Sequence, residues 1–136
     1  MLQLVSLRRG ETLFDLGAGD GRIIIQAVRD CGARAVGVEI DPERISRIRE
    51  RLNSTGTRAE LIEADLFEVD LSSADVITIY LSASANARLA PKLKAELKVG
   101  TRVVSLDYVL PGWVPDREVE ISTSGMKRKL YLYRVT

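Results

Sequence analysis

The sequence predicts an α/β fold: a mainly parallel seven-stranded sheet with helices on both faces and a C-terminal antiparallel hairpin. Three observations predict it. Short apolar runs alternate with helix-patterned segments along the whole chain, which is the sequence form of βαβ units. A glycine cluster stands between the first apolar run and the first helical segment. Two β-type runs near the C-terminus are joined by Ser122-Thr-Ser-Gly125, a hairpin signal. With neither repeat nor linker, residues 1–136 are expected to form a single domain.

Taken in order, residues 12–16 (TLFDL) are an apolar strand that runs into Gly17-Ala-Gly-Asp-Gly21, and residues 22–30 carry a helical pattern. Residues 35–40 (AVGVEI) are the second strand. Asp41-Pro42 starts a helix to about residue 52, since Asp caps a helix N-terminus well and Pro suits the first helical position. Residues 59–63 and 74–80 (ADVITIY) are the third and fourth strands. Residues 85–97 have apolar positions at helical spacing, predicting a start near Ser84 and a bend or restart at Pro91, with Gly100 ending the segment. Residues 101–108 (TRVVSLDY) are the fifth strand, Pro111-Gly-Trp-Val-Pro115 is a loop, and residues 117–121 and 129–135 make the hairpin.

Composition narrows the function classes. The 20 Lys+Arg against 19 Asp+Glu leave a net charge of +1, so nothing global argues for a nucleic-acid or membrane partner. No apolar run approaches the ~20 residues needed to cross a bilayer, and the N-terminus lacks a signal-peptide core, so a cytoplasmic location is expected. The single cysteine, Cys31, excludes an internal disulfide framework and is expected to be a packing residue in the first helix. Without histidine, no metal site is expected and imidazole base catalysis is excluded.

The glycine cluster carries the chemistry. A strand that enters Asp15-Leu-Gly-Ala-Gly-Asp-Gly21 and leaves as a helix needs glycines because the backbone turns sharply and lets a ligand approach. Dinucleotide sites space the third glycine one residue later, which disfavours nicotinamide-dependent oxidoreduction. Here Asp15 precedes the first glycine and Asp20 the third; two carboxylates suit a cationic ligand better than a pyrophosphate. Glu39 ends the second strand, where a carboxylate accepts hydrogen bonds from ribose hydroxyls. Asp65 follows the third strand, placed to accept from an adenine amino group, or else to cap a turn.

These segments resemble the first three motifs of class I methyltransferases: Asp15-Leu-Gly-Ala-Gly-Asp-Gly21, Val38-Glu-Ile40 and Glu63-Ala-Asp65. Asp20-Gly-Arg-Ile-Ile-Ile25, Phe67-Glu-Val-Asp70, Pro91-Lys-Leu93, Gly100-Thr-Arg-Val-Val-Ser105, Gly112-Trp113 and Leu130-Tyr-Leu-Tyr133 extend the match. Together they are similar to the small archaeal protein-lysine methyltransferases and their mitochondrial lysine-methylating relatives. The resemblance implies a Rossmann-like fold and S-adenosylmethionine as cofactor. It implies a cofactor site made of Asp15, Gly17, Ala18, Gly19, Asp20, Gly21, Arg22, Glu39, Ile40, Asp65, Leu66 and Tyr80, with lysine side chains of proteins as acceptors. Two departures stand out: the family's N-terminal cap segment is largely absent, leaving a short helical segment before the first strand, and small residues fill Tyr80-Leu-Ser-Ala-Ser-Ala-Asn86.

Methyl transfer from a sulfonium is an in-line displacement that needs positioning and exclusion of water more than a proton shuttle. A lysine acceptor with a reference pKa of ~10.4 must be neutralised, at roughly 4.6 kcal/mol at pH 7. The ends of the fourth and fifth strands should face the methyl group, nominating Tyr80, Ser82, Asp107 and Tyr108. Asp107 would orient the ammonium and accept its proton through water, with Tyr80 as a pocket wall or second catalytic group. Trp113 borders a substrate channel or covers the end of the sheet. The fourth strand is not followed by the [D/N]PP[Y/F/W] motif of amino-methylating nucleic-acid enzymes. Arg44, Arg47, Arg49 and Arg51 cover several helix faces, as on a solvated helix. The alternative function is a cofactor-binding module with little activity of its own, completed by a partner or by self-association.

Overall fold

The computed structural model describes residues 1–136. Seven strands form one sheet: β1 Thr12–Leu16, β2 Arg34–Glu39, β3 Glu60–Glu63, β4 Val76–Ile79, β5 Arg102–Leu106, β6 Arg117–Thr123 and β7 Met126–Arg134. Their spatial order is β3-β2-β1-β4-β5-β7-β6. β1 to β5 run parallel, and β7 lies antiparallel between β5 and β6. Successive strands travel outward from β1 to β3 and then restart on β1's other side at β4. The switch point therefore falls between β1 and β4, and ligands of such sheets bind at the carboxyl ends there.

Three helices cross over: α1 Arg22–Cys31, α2 Pro42–Thr55 and α3 Ala83–Glu96. Neighbouring strand residues point to opposite faces, so Leu13 and Phe14 enter different cores. On one face α1 and α2 bury Ile24, Ala27, Ile48 and Leu52 against Leu13, Ala35 and Val104, joined by Leu2 and Val5. On the other, α3 buries Leu89, Ala90 and Leu93 with Leu16, Val38, Ile77 and Tyr133. Covered on both sides, the central strands read as near-continuous apolar runs. Cys31 is half-buried against the first of these cores, the packing role expected of it.

Several boundaries differ from the sequence expectation, and the larger differences have local reasons. β4 and β5 stop short of residues 80 and 108 because Tyr80 and Asp107 leave the sheet at its carboxyl edge, Asp107 with φ of 72°. The hairpin is longer than expected: Thr123 pairs with Met126, and Ser124-Gly125, both at positive φ, form the two-residue turn. α3 starts one residue before Ser84, at Ala83, since Ser82 caps it by accepting from the Ala85 N–H at 3.1 Å. It also runs through Pro91 as one helix, where a bend or restart was expected. Proline there forgoes one backbone hydrogen bond, while the adjoining Leu89, Ala90 and Leu93 stay buried.

Ahead of β1 the chain forms turns instead of the expected helical segment. Ser6 at φ 51° breaks any helix, and Arg102 draws the segment onto the sheet. Its guanidinium donates to the Val5 carbonyl at 3.1 Å and pairs with both Glu11 oxygens at 2.7 and 2.8 Å. No helix is long and apolar enough to cross a membrane.

Candidate active site

A cleft of about 860 Å³ opens at the carboxyl edge of the sheet, over the β1/β4 switch point. Its floor is the β1–α1 turn, where Gly17, Gly19 and Gly21 all adopt positive φ. The three glycines serve different ends. A Cβ on Gly17 would meet Leu81 Cδ2 at 2.8 Å, and one on Gly21 would meet Ile48 at 2.9 Å, so both are required by packing. A Cβ on Gly19 would meet nothing closer than the Gly17 carbonyl at 3.8 Å. It would project into the open cleft, into the space a bound ligand needs.

Asp15 is a charged residue within an apolar strand, and the structure buries it at the cleft floor. Thr78 Oγ donates to one carboxylate oxygen at 2.7 Å. Burial raises its pKa to about 7, opposed by the Thr78 hydrogen bond and reinforced by the nearby Asp20 and Glu39 charges. A cationic group placed in the cleft would favour the ionised form. Two consequences are expected. The folded carboxyl keeps its proton to about pH 7, whereas the unfolded one releases it near 3.8, so the folded state holds more protons between these values and stability falls as pH rises through that window. Asp15→Asn should therefore stabilise the free protein at pH 8, by up to about 4 kcal/mol at 1.36 kcal/mol per pH unit. The same change should weaken a cationic cofactor. Urea melts at pH 5 and pH 8, with calorimetry, check both; equal affinity in the variant would remove the electrostatic role.

Glu39 is buried at the end of β2 and holds the turn in place. One oxygen accepts the Gly19 N–H at 3.1 Å, and the other accepts those of Ile40 and Asp41 at 3.1 and 3.2 Å. The residue thus fixes the conformation of the glycine turn, a task the sequence did not disclose. Glu39→Ala removes these charge-assisted bonds, each worth about 1.5–3 kcal/mol, and should lower both stability and cofactor affinity. Native affinity of the variant by calorimetry would exclude Glu39 from the site.

The remaining expected residues are placed unevenly. Ala18 is buried beside the turn, while Ile40 is largely exposed at the sheet's edge. Asp20 and Arg22 line the cleft but engage each other at 3.3 Å, and Asp20 also meets Arg51 at 3.6 Å. The carboxylate expected to meet a cation is therefore already partnered within the chain. Asp65 accepts the Phe67 N–H at 3.0 Å and caps a one-turn 3-10 helix, Leu66–Glu68, as in the turn-capping alternative. Neither Asp65 nor Leu66 lines the cleft. Ser82 is a helix cap, and the Tyr108 carbonyl accepts from Asn86 and Ser105. Trp113 packs edge-on against Tyr133 at 5.8 Å and donates to the Ala90 carbonyl at 3.3 Å, so it covers α3 and the sheet and does not line the cleft.

At the mouth of the cleft the structure adds a residue that the sequence reading missed. Arg128 on β7 chelates Asp107, Nε lying 3.0 and 2.9 Å from its two oxygens and Nη2 also donating to one of them. Nη2 further donates to Tyr80 Oη at 2.8 Å, and the guanidinium carbon stands 5.1 Å from the Tyr80 ring centroid. Arg128 holds the Asp107 carboxyl below the usual carboxylate range. As a resting proton acceptor Asp107 is therefore weakened, and its expected base role is revised to that of a fixed negative charge. Asn86 fixes the surrounding turn by donating to Ser105 and to the Tyr108 and Val109 carbonyls.

A doubly wound sheet in this strand order, with a glycine turn at its switch point and an acid at the end of β2, defines the class I S-adenosylmethionine-dependent methyltransferases. Residues 15–117 match the ANTKMT methyltransferase domain. The chain belongs to that family and is an S-adenosylmethionine-dependent methyltransferase. It is 41% identical to the protein-lysine N-methyltransferase of Saccharolobus islandicus, over 98% of this chain and 84% of that one. It is 38% identical to the adenine nucleotide translocase lysine N-methyltransferase of Mus musculus, over 82% of this chain; the match spans 51% of the mouse protein. The crystal structure of an RNA methyltransferase from Salinibacter ruber, in complex with S-adenosylhomocysteine, superposes with a TM-score of 0.90. That protein shares 40% identity, and the match covers 98% of this chain and 86% of it.

Proposed function

We propose that this methyltransferase transfers the methyl group to lysine side chains of proteins. The observation that carries the reading is the cation cradle at the cleft mouth: Asp107 and the Tyr80 ring hold a guanidinium beside the cofactor floor. A carboxylate and an aromatic face are the groups that receive a substrate ammonium. The relatives named for lysine N-methylation support the same acceptor.

In this proposal the cofactor would be held by the glycine turn, Asp15 and Glu39, with Ala18, Asp20, Gly21, Arg22, Ile40 and Tyr80 as further contacts, and Asp65 and Leu66, outside the cleft, would be the groups available to its adenine. The open space above Gly19 and the buried Asp15 carboxylate fit such a group. Bound there, S-adenosylmethionine supplies an electrophilic methyl on a sulfonium. Asp107 orients the incoming ammonium, Tyr80 walls the approach, and the proton leaves through water before displacement. The single domain, a cytoplasmic location and self-association belong to the same proposal, sizing chromatography testing the last.

Incubation with radiolabelled cofactor and a cell lysate, followed by mass spectrometry of the labelled band, tests the acceptor. Methyl-lysine is expected. Label confined to nucleic acid would move the chain to RNA methylation, the activity named for the Salinibacter protein.

A further inference from the structure

The glycine-turn cleft has a neighbour. A second hollow of about 350 Å³ lies between α1 and α2, lined by Arg22, Ile25, Gln26, Arg29, Asp30 and Arg51. Arg22 and Arg51 line both cavities, so the two lie side by side there. Arg44 and Arg47 also border the cleft. Arg44, Arg47 and Arg51 follow a three- and four-residue helical spacing, which puts them on one stripe of α2. All four arginines of α2 are exposed, as expected of a solvated helix, with Arg49 on a different face from the other three. Arg22 and Arg51 are partly neutralised by Asp20, and Arg44 by Asp41 at 3.8 Å. Arg29 and Arg47 have no carboxylate within ion-pairing distance; Arg29 only donates to the Thr55 carbonyl at 3.4 Å. The stripe keeps free positive charge in a chain whose overall charge is nearly balanced.

We propose that this basic groove binds an acidic segment of the polypeptide substrate, flanking the lysine presented to the cleft. The inference rests on the lysine reading above and deepens it to a sequence preference. A peptide fits better than a nucleic acid for two reasons. No aromatic side chain lines the hollow, so bases would find no stacking surface. Asp20 and Asp30 interrupt the arginines, which repels a continuous phosphate backbone but offers acceptors to peptide N–H groups. Single Asp or Glu side chains can instead meet Arg29 and Arg47 in bidentate pairs. Such exposed pairs steer and select a partner more than they add raw affinity, so the groove sets which lysines are reached.

The test uses fluorescence anisotropy on the full chain with three probes: a short peptide with one lysine beside Glu residues, the same peptide with Gln for each Glu, and a single-stranded RNA oligonucleotide. The Glu peptide should bind more tightly than the Gln peptide and lose the advantage in high salt. Arg29→Glu/Arg47→Glu should weaken it by about tenfold and leave the Gln peptide unchanged. The milder Arg29→Gln/Arg47→Gln, with melting temperatures for both variants, separates a charge effect from misfolding. Equal binding of the two peptides, or indifference to both variants, overturns the groove. So does RNA binding that is tighter than the Glu peptide and is lost in the same variants. Methylation of the bound peptide is scored in parallel: arginine-dependent binding without methyl-lysine defeats the acceptor reading while upholding the acidic-segment groove.

Discussion

Gly19→Val should abolish cofactor binding, with an affinity loss on the order of 100-fold or more, while the chain remains folded. The argument combines backbone and space. Gly19 has φ of 61°, where a β-branched residue is strained by about 1–3 kcal/mol, and its N–H is held by Glu39. Its side-chain direction opens onto the cleft, so the valine fills the ligand's space without striking the protein core. Gly56 supplies the control, since it has φ of 62° and an equally open side-chain direction, at the C-terminal end of α2. Gly19→Ala and Gly56→Ala should lose similar stability from backbone strain, and Gly19→Ala alone should lose affinity. The readout is the melting-temperature rise with S-adenosylhomocysteine, which at 100 Kd corresponds to about 2.7 kcal/mol. A full ligand-induced rise in Gly19→Val would place the cofactor elsewhere.

How much of this site was legible in the sequence depended on whether each feature was local. The strand, glycine turn and helix follow from contiguous residues, and the acid within TLFDL already marked Asp15 as an unusual strand residue. The same local reading found Glu39 and the α2 cap, because a strand end or a cap is a property of neighbours in the chain. It stopped at the mouth of the cleft. Arg128 meets Asp107 across 21 positions and Tyr80 across 48, contacts set by the register of β7 against β5. No spacing rule links those three residues. The arginine stripe was a different case: its i, i+3, i+7 pattern is local, but Arg49 in the same run obscured it. Pro91 misled because a proline within a helical pattern signals a break, and burial of the neighbouring residues outweighed that signal.

Asp107→Asn tests the chemistry at the mouth, and it should lower turnover by about 100-fold, the cost of losing the orientation of the acceptor amine, with cofactor affinity nearly unchanged. Asparagine tolerates the positive φ at this position, so the turn should survive a change that removes only the charge. Because Arg128 keeps Asp107 below the usual carboxylate range, its charge is constant across pH 7 to 9. The rise in rate over that interval should then follow deprotonation of the lysine, whose reference pKa is ~10.4, and should run in parallel in wild type and Asp107→Asn, whereas selective rescue of the variant at high pH would restore the base role. Arg128→Ala separates two ways in which the carboxylate can act. If Asp107 receives the substrate ammonium directly, freeing it from Arg128 should lower KM for the lysine substrate while Asp107→Asn raises it. If Asp107 serves only to anchor Arg128 against Tyr80, the two variants should lose turnover alike, and the double variant should be no worse than either. The cycle of kcat and KM over these three variants decides the matter, and superimposable single variants would return Asp107 to a structural role.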